Sequence, residues 1–83
     1  MIVIGVGTHK RSHTLVALDA ATAATRGQLT SPATDEGTLL ALRFAAKLDP
    51  VRVWAVEDCR HVSGRLQRGL LARGGRVIRV APA

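Results

Sequence analysis

The sequence has few aromatic residues, a single cysteine and no long apolar run. Phe44 and Trp54 are its only aromatic side chains among 83 residues, so the expected core consists mainly of Val, Leu and Ala. Cys59 has no second cysteine, which excludes an internal disulfide and is typical of a reducing cytoplasm. No stretch approaches the ~20 apolar residues of a membrane helix, and no basic region precedes residues 2–4 as in a signal peptide. We therefore expect a cytoplasmic protein with no membrane partner.

Acidic side chains are missing from the last 24 residues of the chain. Residues 1–59 contain six basic and six acidic side chains, which cancel, so the whole net charge of +6 lies in residues 60–83. That excess consists entirely of arginine: Arg60, Arg65, Arg68, Arg73, Arg76 and Arg79. Guanidinium groups match phosphate oxygens, so this segment favours a nucleic-acid partner, although a solvated helix face explains the same pattern.

The length permits one small domain, and 47% apolar residues argue against disorder. Hydrophobic patterning predicts strands near residues 2–7, 13–19, 25–30, 51–56 and 76–80, and helices near 35–48 and 62–73. The short interval 8–12 indicates a hairpin between the first two strands. The order β-β-β-α-β-α-β predicts an α/β fold with a mixed, partly parallel sheet and helical crossovers.

Both predicted helices have a recognisable start and an apolar stripe. Thr34 is expected to cap the first helix, whose stripe would contain Leu40, Phe44 and Leu48. In the second helix, His61 or Ser63 is expected to be the cap. Its inward residues are expected to be Val62, Leu66, Leu70 and Leu71, and Gly74-Gly75 would end it.

Three weak motifs have simpler interpretations. Gly5 and Gly7 lack the third glycine and the immediate helix of a nucleotide-binding loop, so a bend between paired strands is favoured. His9 and His13, with Cys59 and His61, do not have the spacing of a structural zinc site. Cys59 also has no identifiable third group to orient it as a nucleophile.

Glu57 and Asp58 form the strongest local signal, because they follow a buried strand. Carboxylates at the carboxyl ends of strands face the crevice where open α/β sheets bind ligands. An acid pair that favours a helix dipole is an equally good interpretation on spacing alone. If the first and fourth strands are neighbours, Glu57 faces the end of the first strand, where Gly7 offers no side-chain ligand.

Three segments of the chain carry a family resemblance. They are residues 3–19 (VIGVGTHKRSHTLVALD), residues 53–63 (VWAVEDCRHVS) and Gly74-Gly75-Arg76-Val77 at the entry into the last strand. They resemble the N-terminal part of the DEDD transposases of the bacterial insertion-sequence family one-ten, whose catalytic domain is RuvC-like. The resemblance covers nearly the whole chain. It implies that residues 1–83 are a partial, C-terminally truncated RNase H-like domain.

The resemblance also implies a site and partners. The family cuts DNA during transposition with four metal-binding acids, Asp-Glu-Asp-Asp, and Mg²⁺, assisted by a structured guide RNA. The Glu of that set corresponds to Glu57 and the first Asp to Gly7, while the last two acids lie beyond Ala83. Two-metal catalysis needs several carboxylates, so we expect an inactive chain that binds no metal. Oligomerisation with a full-length transposase is an implied partner interaction.

Nucleic acid is expected to bind the basic side chains near that site and on the second helix: Lys10, Arg11, Arg60, Arg65, Arg68 and Arg73. Two other functions stay open. An actin-like ATPase or sugar-kinase half would share the core, and Gly7-Thr8 is similar to the end of its phosphate loop. The second open function is that of a small basic nucleic-acid-binding module with its own role.

Overall fold

In a computed structural model, residues 1–81 are described, apart from the side chain of Arg60. The element order is β1 (Ile2–Thr8), β2 (Ser12–Asp19), β3 (Thr25–Pro32), α1 (Asp35–Ala46), β4 (Arg52–Glu57), α2 (Arg60–Ala72) and β5 (Arg76–Val80). The expected order is confirmed, and the bounds agree with the predicted ones to within two residues. The fold is therefore α/β, with a mixed sheet.

The five strands form one sheet in the order β3-β2-β1-β4-β5. β1 pairs antiparallel with β2, as the hairpin prediction required, and parallel with β4. β4 in turn pairs parallel with β5. Because both crossovers run in the same direction across the sheet, α1 and α2 lie on the same face, where they contact each other.

The core lies between the sheet and this helical layer. Alternate residues of β1 point into it, and Ile2 and Ile4 are fully buried there. From β4, Trp54 is 1% exposed and Val56 is fully buried, and α2 contributes Leu66 and Leu70. Removing an aromatic side chain from such a position costs about 3–5 kcal/mol, so Trp54 contributes a large part of the stability of a small domain.

Thr34 caps α1 as predicted, since its Oγ1 accepts a hydrogen bond from the Gly37 backbone at 3.0 Å. The predicted stripe of this helix is wrong at Leu40, which is 43% exposed. The buried residues of α1 are small ones, including Ala41 and Ala45, because small side chains let the helix approach the sheet closely. Phe44 and Leu48 are partly buried at its edge, as expected.

α2 begins earlier than predicted, with Cys59 as its N-cap, so neither His61 nor Ser63 caps it. Ser63 instead lies in the first turn and is fully buried. Its Oγ donates to the Cys59 carbonyl oxygen at 2.9 Å and accepts from the Cys59 backbone N–H at 3.2 Å. Leu66 and Leu70 face inward as expected, whereas Leu71 is 50% exposed. Gly74, with φ of 76°, ends the helix in the left-handed conformation that glycine favours.

The opposite face of the sheet has no helix packed on it among the described residues. It consists of the other set of alternating strand positions, among them Val3, Gly5, Gly7, Val16, Ala55 and Glu57. No helix in residues 1–81 is long and apolar enough to cross a membrane.

Candidate functional site

Gly7 and Glu57 lie at the carboxyl ends of adjacent parallel strands. The register pairs Val6 with Val56, so the next residues, Gly7 and Glu57, are level with each other. Both point away from the core, since Val6 and Val56 are buried beneath the helices. The structure therefore brings these two positions to one edge of the uncovered face, as the sequence predicted.

Thr8 contacts Glu57 through two hydrogen bonds, a long one to its carboxylate and a shorter one to its backbone. Its backbone N–H donates to Glu57 Oε1 at 3.4 Å, and its Oγ1 donates to the Glu57 carbonyl oxygen at 3.1 Å. Thr8 is 5% exposed, so its side chain is held by packing, while Glu57 is half-buried. Sequence reasoning missed this role of Thr8. The signal was its place directly after Gly7, in the strand predicted to lie beside Glu57.

The space next to Gly7 is open. A Cβ atom built on this glycine meets no atom within 4 Å, so a side chain can begin here without a clash at its first atom. In contrast to Glu57, Gly7 offers no ligand atom of its own. Among the described residues there is no group of three or more His, Cys, Asp or Glu side chains suited to a metal ion. At this edge of the sheet, Glu57 is therefore the single carboxylate within residues 1–81, and the neighbouring position of Gly7 supplies no second one.

Asp58 is not part of that edge. Its backbone N–H donates to the Val80 carbonyl oxygen at 2.7 Å, and its Oδ1 accepts from Gln67 Nε2 at 3.2 Å. Gln67 also donates to Ser63 Oγ at 2.9 Å and accepts from Arg79 Nε at 2.9 Å. Asp58 thus belongs to a polar network that joins α2 to β5, and the Glu57–Asp58 pair is divided between two environments.

Sequence reasoning also missed Gln67, although a signal existed. Gln67 is four residues after Ser63 on the inward side of α2, and a polar pair at that spacing facing a sheet requires hydrogen-bond partners. In the structure Gln67 is 6% exposed and each of its polar side-chain atoms is paired.

The basic side chains predicted to bind nucleic acid separate into groups. Lys10, Arg65 and Arg68 line one polar cavity of about 240 Å³, together with His61, near the start of α2. Arg65 also lies 3.7 Å from Asp35, an exposed pair of small energetic value. This group lies near the same end of the sheet as Glu57, because Lys10 is in the β1–β2 turn.

The other predicted basic residues lie elsewhere. Arg11 is exposed in the β1–β2 turn but does not line this cavity. Arg73 lines a cleft at the opposite end of the sheet, and it also shares a cavity between the two helices with Arg65 and Asp35. The side chain of Arg60 lies outside the described part of the structure.

His13 has an unusual environment on the covered face. It is 3% exposed and pairs in register with Thr8 on one side and Ser31 on the other. Its Nδ1 atom is buried without a hydrogen-bond partner among the described residues. Burial, and then the nearby His9, lower the pKa of His13 below its ordinary value of 6.5, so its neutral form is favoured. His13 also does not come together with His9, Cys59 and His61 as a zinc site, since no three of these side chains form a metal-binding group in the described residues.

A search against models of known protein families found no match, and a search of curated proteins found none either. The function must therefore be argued from the site and from the sequence resemblance.

Proposed function

We propose that the chain corresponds to the N-terminal part of an RNase H-like, RuvC-like transposase domain that keeps a nucleic-acid-binding surface and lacks a complete metal site. The observation that carries the proposal is the level placement of Gly7 and Glu57 on adjacent parallel strands. The first Asp and the Glu of the family would occupy these two positions. A hairpin-fed mixed sheet with two crossover helices is compatible with such a core.

The chemistry of the edge argues against cleavage by this chain. Mg²⁺ prefers oxygen ligands in octahedral geometry, and two-metal sites hold their ions about 3.5–4 Å apart with several carboxylates. Glu57 alone supplies one carboxylate at this edge, and one of its oxygens already accepts a hydrogen bond from Thr8. We therefore expect neither metal binding nor strand cleavage by the 83-residue chain.

Restoring the first acid tests this proposal. Gly7→Asp fits the open space beside Gly7 and places a second carboxylate level with Glu57. Two close carboxylates repel each other, and a divalent cation relieves that repulsion, so Gly7→Asp should acquire weak Mn²⁺ binding in calorimetric titration. Gly7→Asn is the matched control, because it has the same size without the charge.

Two results would contradict the proposal. Mn²⁺ binding of similar strength with Gly7 or Asn at this position would mean that the metal binds elsewhere. Metal-dependent nicking of plasmid DNA by the unmodified chain would show a complete site. Plasmid nicking is expected to stay absent in Gly7→Asp, since two carboxylates fall short of the family's four.

The cavity lined by Lys10, Arg65 and Arg68 is the proposed phosphate-contacting surface. The sequence contains no recognisable base-reading motif, so we expect binding without sequence preference. Affinity should fall steeply with salt, because each neutralised phosphate releases counterions. The triple variant Lys10→Gln/Arg65→Gln/Arg68→Gln should flatten the slope of log K against log salt by roughly 2–3.

The control for this variant is Arg52→Gln/Arg73→Gln/Arg76→Gln, which removes the same charge at the opposite end of the sheet. Fluorescence anisotropy with one labelled 20-mer, as DNA and as RNA, measures both variants. An equal change of slope in the two would show that net charge alone governs binding. A failure to bind at low salt would remove nucleic acid from the proposed function.

A further inference from the structure

The amino ends of β4 and β5 form a second cleft, at the end of the sheet opposite Glu57. It has a volume of about 270 Å³, and its charged lining residues are Arg52, Arg73 and Arg76. No acidic side chain lines it. An adjacent cavity on the side of α1 shares Arg52 and Arg73 and adds Arg43. Four arginines therefore line these two adjacent cavities.

These arginines have no carboxylate partner within 4 Å among the described residues. The ion pairs there involve Arg26, Arg65 and the amino terminus instead. Asp49, the acid nearest in sequence to Arg52, is already engaged. Its Oδ2 lies 3.3 Å from the amino terminus, and its Oδ1 accepts from the Val51 N–H at 2.8 Å. No carboxylate of the described residues thus pairs directly with the arginines of the cleft, although Asp35 shares a neighbouring cavity with Arg73.

One of the arginines is held in place. Arg52 is half-buried, and its Nη1 donates to the Asp49 carbonyl oxygen at 3.1 Å, which orients the guanidinium and leaves its other N–H groups free to donate. The backbone of the helix end does not contribute donors. The N–H groups of Gly74 and Gly75 already donate to the carbonyl oxygens of Leu71 and Leu70. Recognition of an anion in the cleft therefore falls to the arginine side chains.

The remaining wall of the cleft is mainly apolar and includes Leu42, Pro50 and Trp54. Guanidinium groups bind phosphate through paired, charge-assisted hydrogen bonds, whereas an apolar wall suits the organic part of a ligand. The volume is slightly below the roughly 300–1,000 Å³ of typical ligand pockets, so the ligand must be small.

We propose that this cleft binds a phosphate monoester, with its phosphate on Arg52, Arg73 and Arg76. This proposal does not rest on the proposed function, because it concerns the other end of the sheet and a small ligand. Free phosphate and a nucleotide share the chemistry that the arginines recognise. The apolar wall distinguishes them, since it gives only the nucleotide an additional contact.

The test is a titration of the 83-residue protein with inorganic phosphate, AMP and adenosine at constant ionic strength. Trp54 is the single tryptophan and borders the cleft, so its fluorescence reports binding, and the shift in Tm provides a second measurement. Phosphate and AMP should raise Tm and adenosine should not. An AMP affinity well above that of phosphate identifies a nucleotide site, and equal affinities identify a phosphate site.

Arg52→Gln/Arg73→Gln/Arg76→Gln should weaken phosphate and AMP binding roughly tenfold or more. Lys10→Gln/Arg65→Gln/Arg68→Gln, of equal charge, should weaken it much less, because that cavity is proposed to contact the phosphates of a nucleic-acid chain. Since Arg52 also contacts the backbone, circular dichroism checks the fold of the triple variant. The exposed single variant Arg76→Gln repeats the test without touching that contact.

Three results would overturn the proposal. The first is equal loss of phosphate binding in both triple variants. The second is stabilisation by chloride as large as that by phosphate. The third combines two measurements: the parent protein binds neither phosphate nor AMP, and the Arg52/Arg73/Arg76 variant binds the 20-mer more weakly. That result would assign the cleft to the nucleic-acid surface.

Discussion

The two faces of the sheet divide stability and candidate chemistry between them. The covered face holds the largest buried side chains, Trp54 and Ile2 among them, and the helices that pack on them. The uncovered face presents small residues at its centre and Glu57 at its edge. A substitution on the covered face should therefore act on folding, whereas the same substitution on the uncovered face should leave the fold intact. Matched pairs of variants can test this division.

The largest difference is expected for Gly→Ala substitutions. A Cβ atom on Gly37, in the first turn of α1, would collide with the Pro32 carbonyl oxygen at the end of β3. The collision is with backbone, which cannot move without displacing the helix, so Gly37→Ala should cost about 3 kcal/mol or more. That is a large part of the roughly 4–12 kcal/mol expected for a domain of this length.

The matched control is Gly7→Ala on the uncovered face, where the new Cβ meets nothing within 4 Å. We expect a change within about 0.5 kcal/mol, or a small gain because alanine loses less backbone entropy. Urea unfolding followed by Trp54 fluorescence measures both variants. Similar losses of stability in the two would show that the faces are not different in this way.

Gln→Leu substitutions provide a second, smaller difference. Gln67→Leu removes the acceptor of Arg79 Nε and a donor to Asp58, and leaves Ser63 Oγ with one partner fewer. Losing partners of partly buried groups should cost about 1–3 kcal/mol. Gln28→Leu is at an exposed position of β3, where the side chain makes no hydrogen bond within the described part of the chain, and should change stability by less than about 0.5 kcal/mol.

The midpoint of thermal unfolding measures this pair. Its shift should be several degrees for Gln67→Leu and small for Gln28→Leu. If Gln67→Leu proved neutral, the polar network that joins α2 to β5 would not stabilise the fold. Arg79→Gln would then be expected to be neutral as well.

The sequence predicted the strands well, because β-branched runs bounded by glycine, proline and polar turns mark them clearly. The sequence placed Gly7 and Glu57 at strand ends and made their proximity conditional on the first and fourth strands being neighbours, and the sheet order meets that condition. The sequence pattern did not predict which side of α1 is buried. Apolar periodicity selected Leu40, but the buried side is set by Gly37 and Ala41, whose small size permits a close approach to the sheet. A hydrophobicity pattern assigns the larger residue, Leu40, to the buried side of the helix. A short distance between helix and sheet instead requires the smaller residues, Gly37 and Ala41, on that side.

The meeting of Arg73 with Arg52 and Arg76 was also beyond the sequence pattern. Arg65, Arg68 and Arg73 lie within nine residues of one helix and its cap, and charge alone groups them together. Arg73 joins Arg52 and Arg76 only because the end of α2 lies next to the start of β4, a contact between distant segments. Long-range packing of this kind is not encoded in local periodicity.

The smallest expected effect comes from His13, the titratable group on the covered face whose pKa is lowered by burial. A base with a lower pKa in the folded state binds its proton more readily when unfolded. Above pH 6.5, His13 is mainly neutral in both states and has little effect on the free energy of unfolding. As the pH drops from there toward the lower folded pKa, the unfolded state binds the proton first and stability falls. His13→Leu should flatten the dependence of unfolding free energy on pH between about pH 5 and 7.5. It also removes the unpartnered Nδ1, so its stability at pH 7.5 should not fall by more than about 1 kcal/mol.

The lowered pKa values of Asp19 and Asp49, each caused first by a backbone hydrogen bond, affect stability only at lower pH, near and below 3.8, so they do not disturb this window. The control is His61→Leu, since His61 is exposed at the start of α2. Urea unfolding at several pH values should give the parent slope for His61→Leu and a flatter slope for His13→Leu. If both variants kept the parent slope, protonation of His13 would not oppose folding, and the buried row Thr8–His13–Ser31 would have to admit a charged imidazole. If His61→Leu alone flattened it, the pH dependence would belong to the exposed surface and not to the covered face.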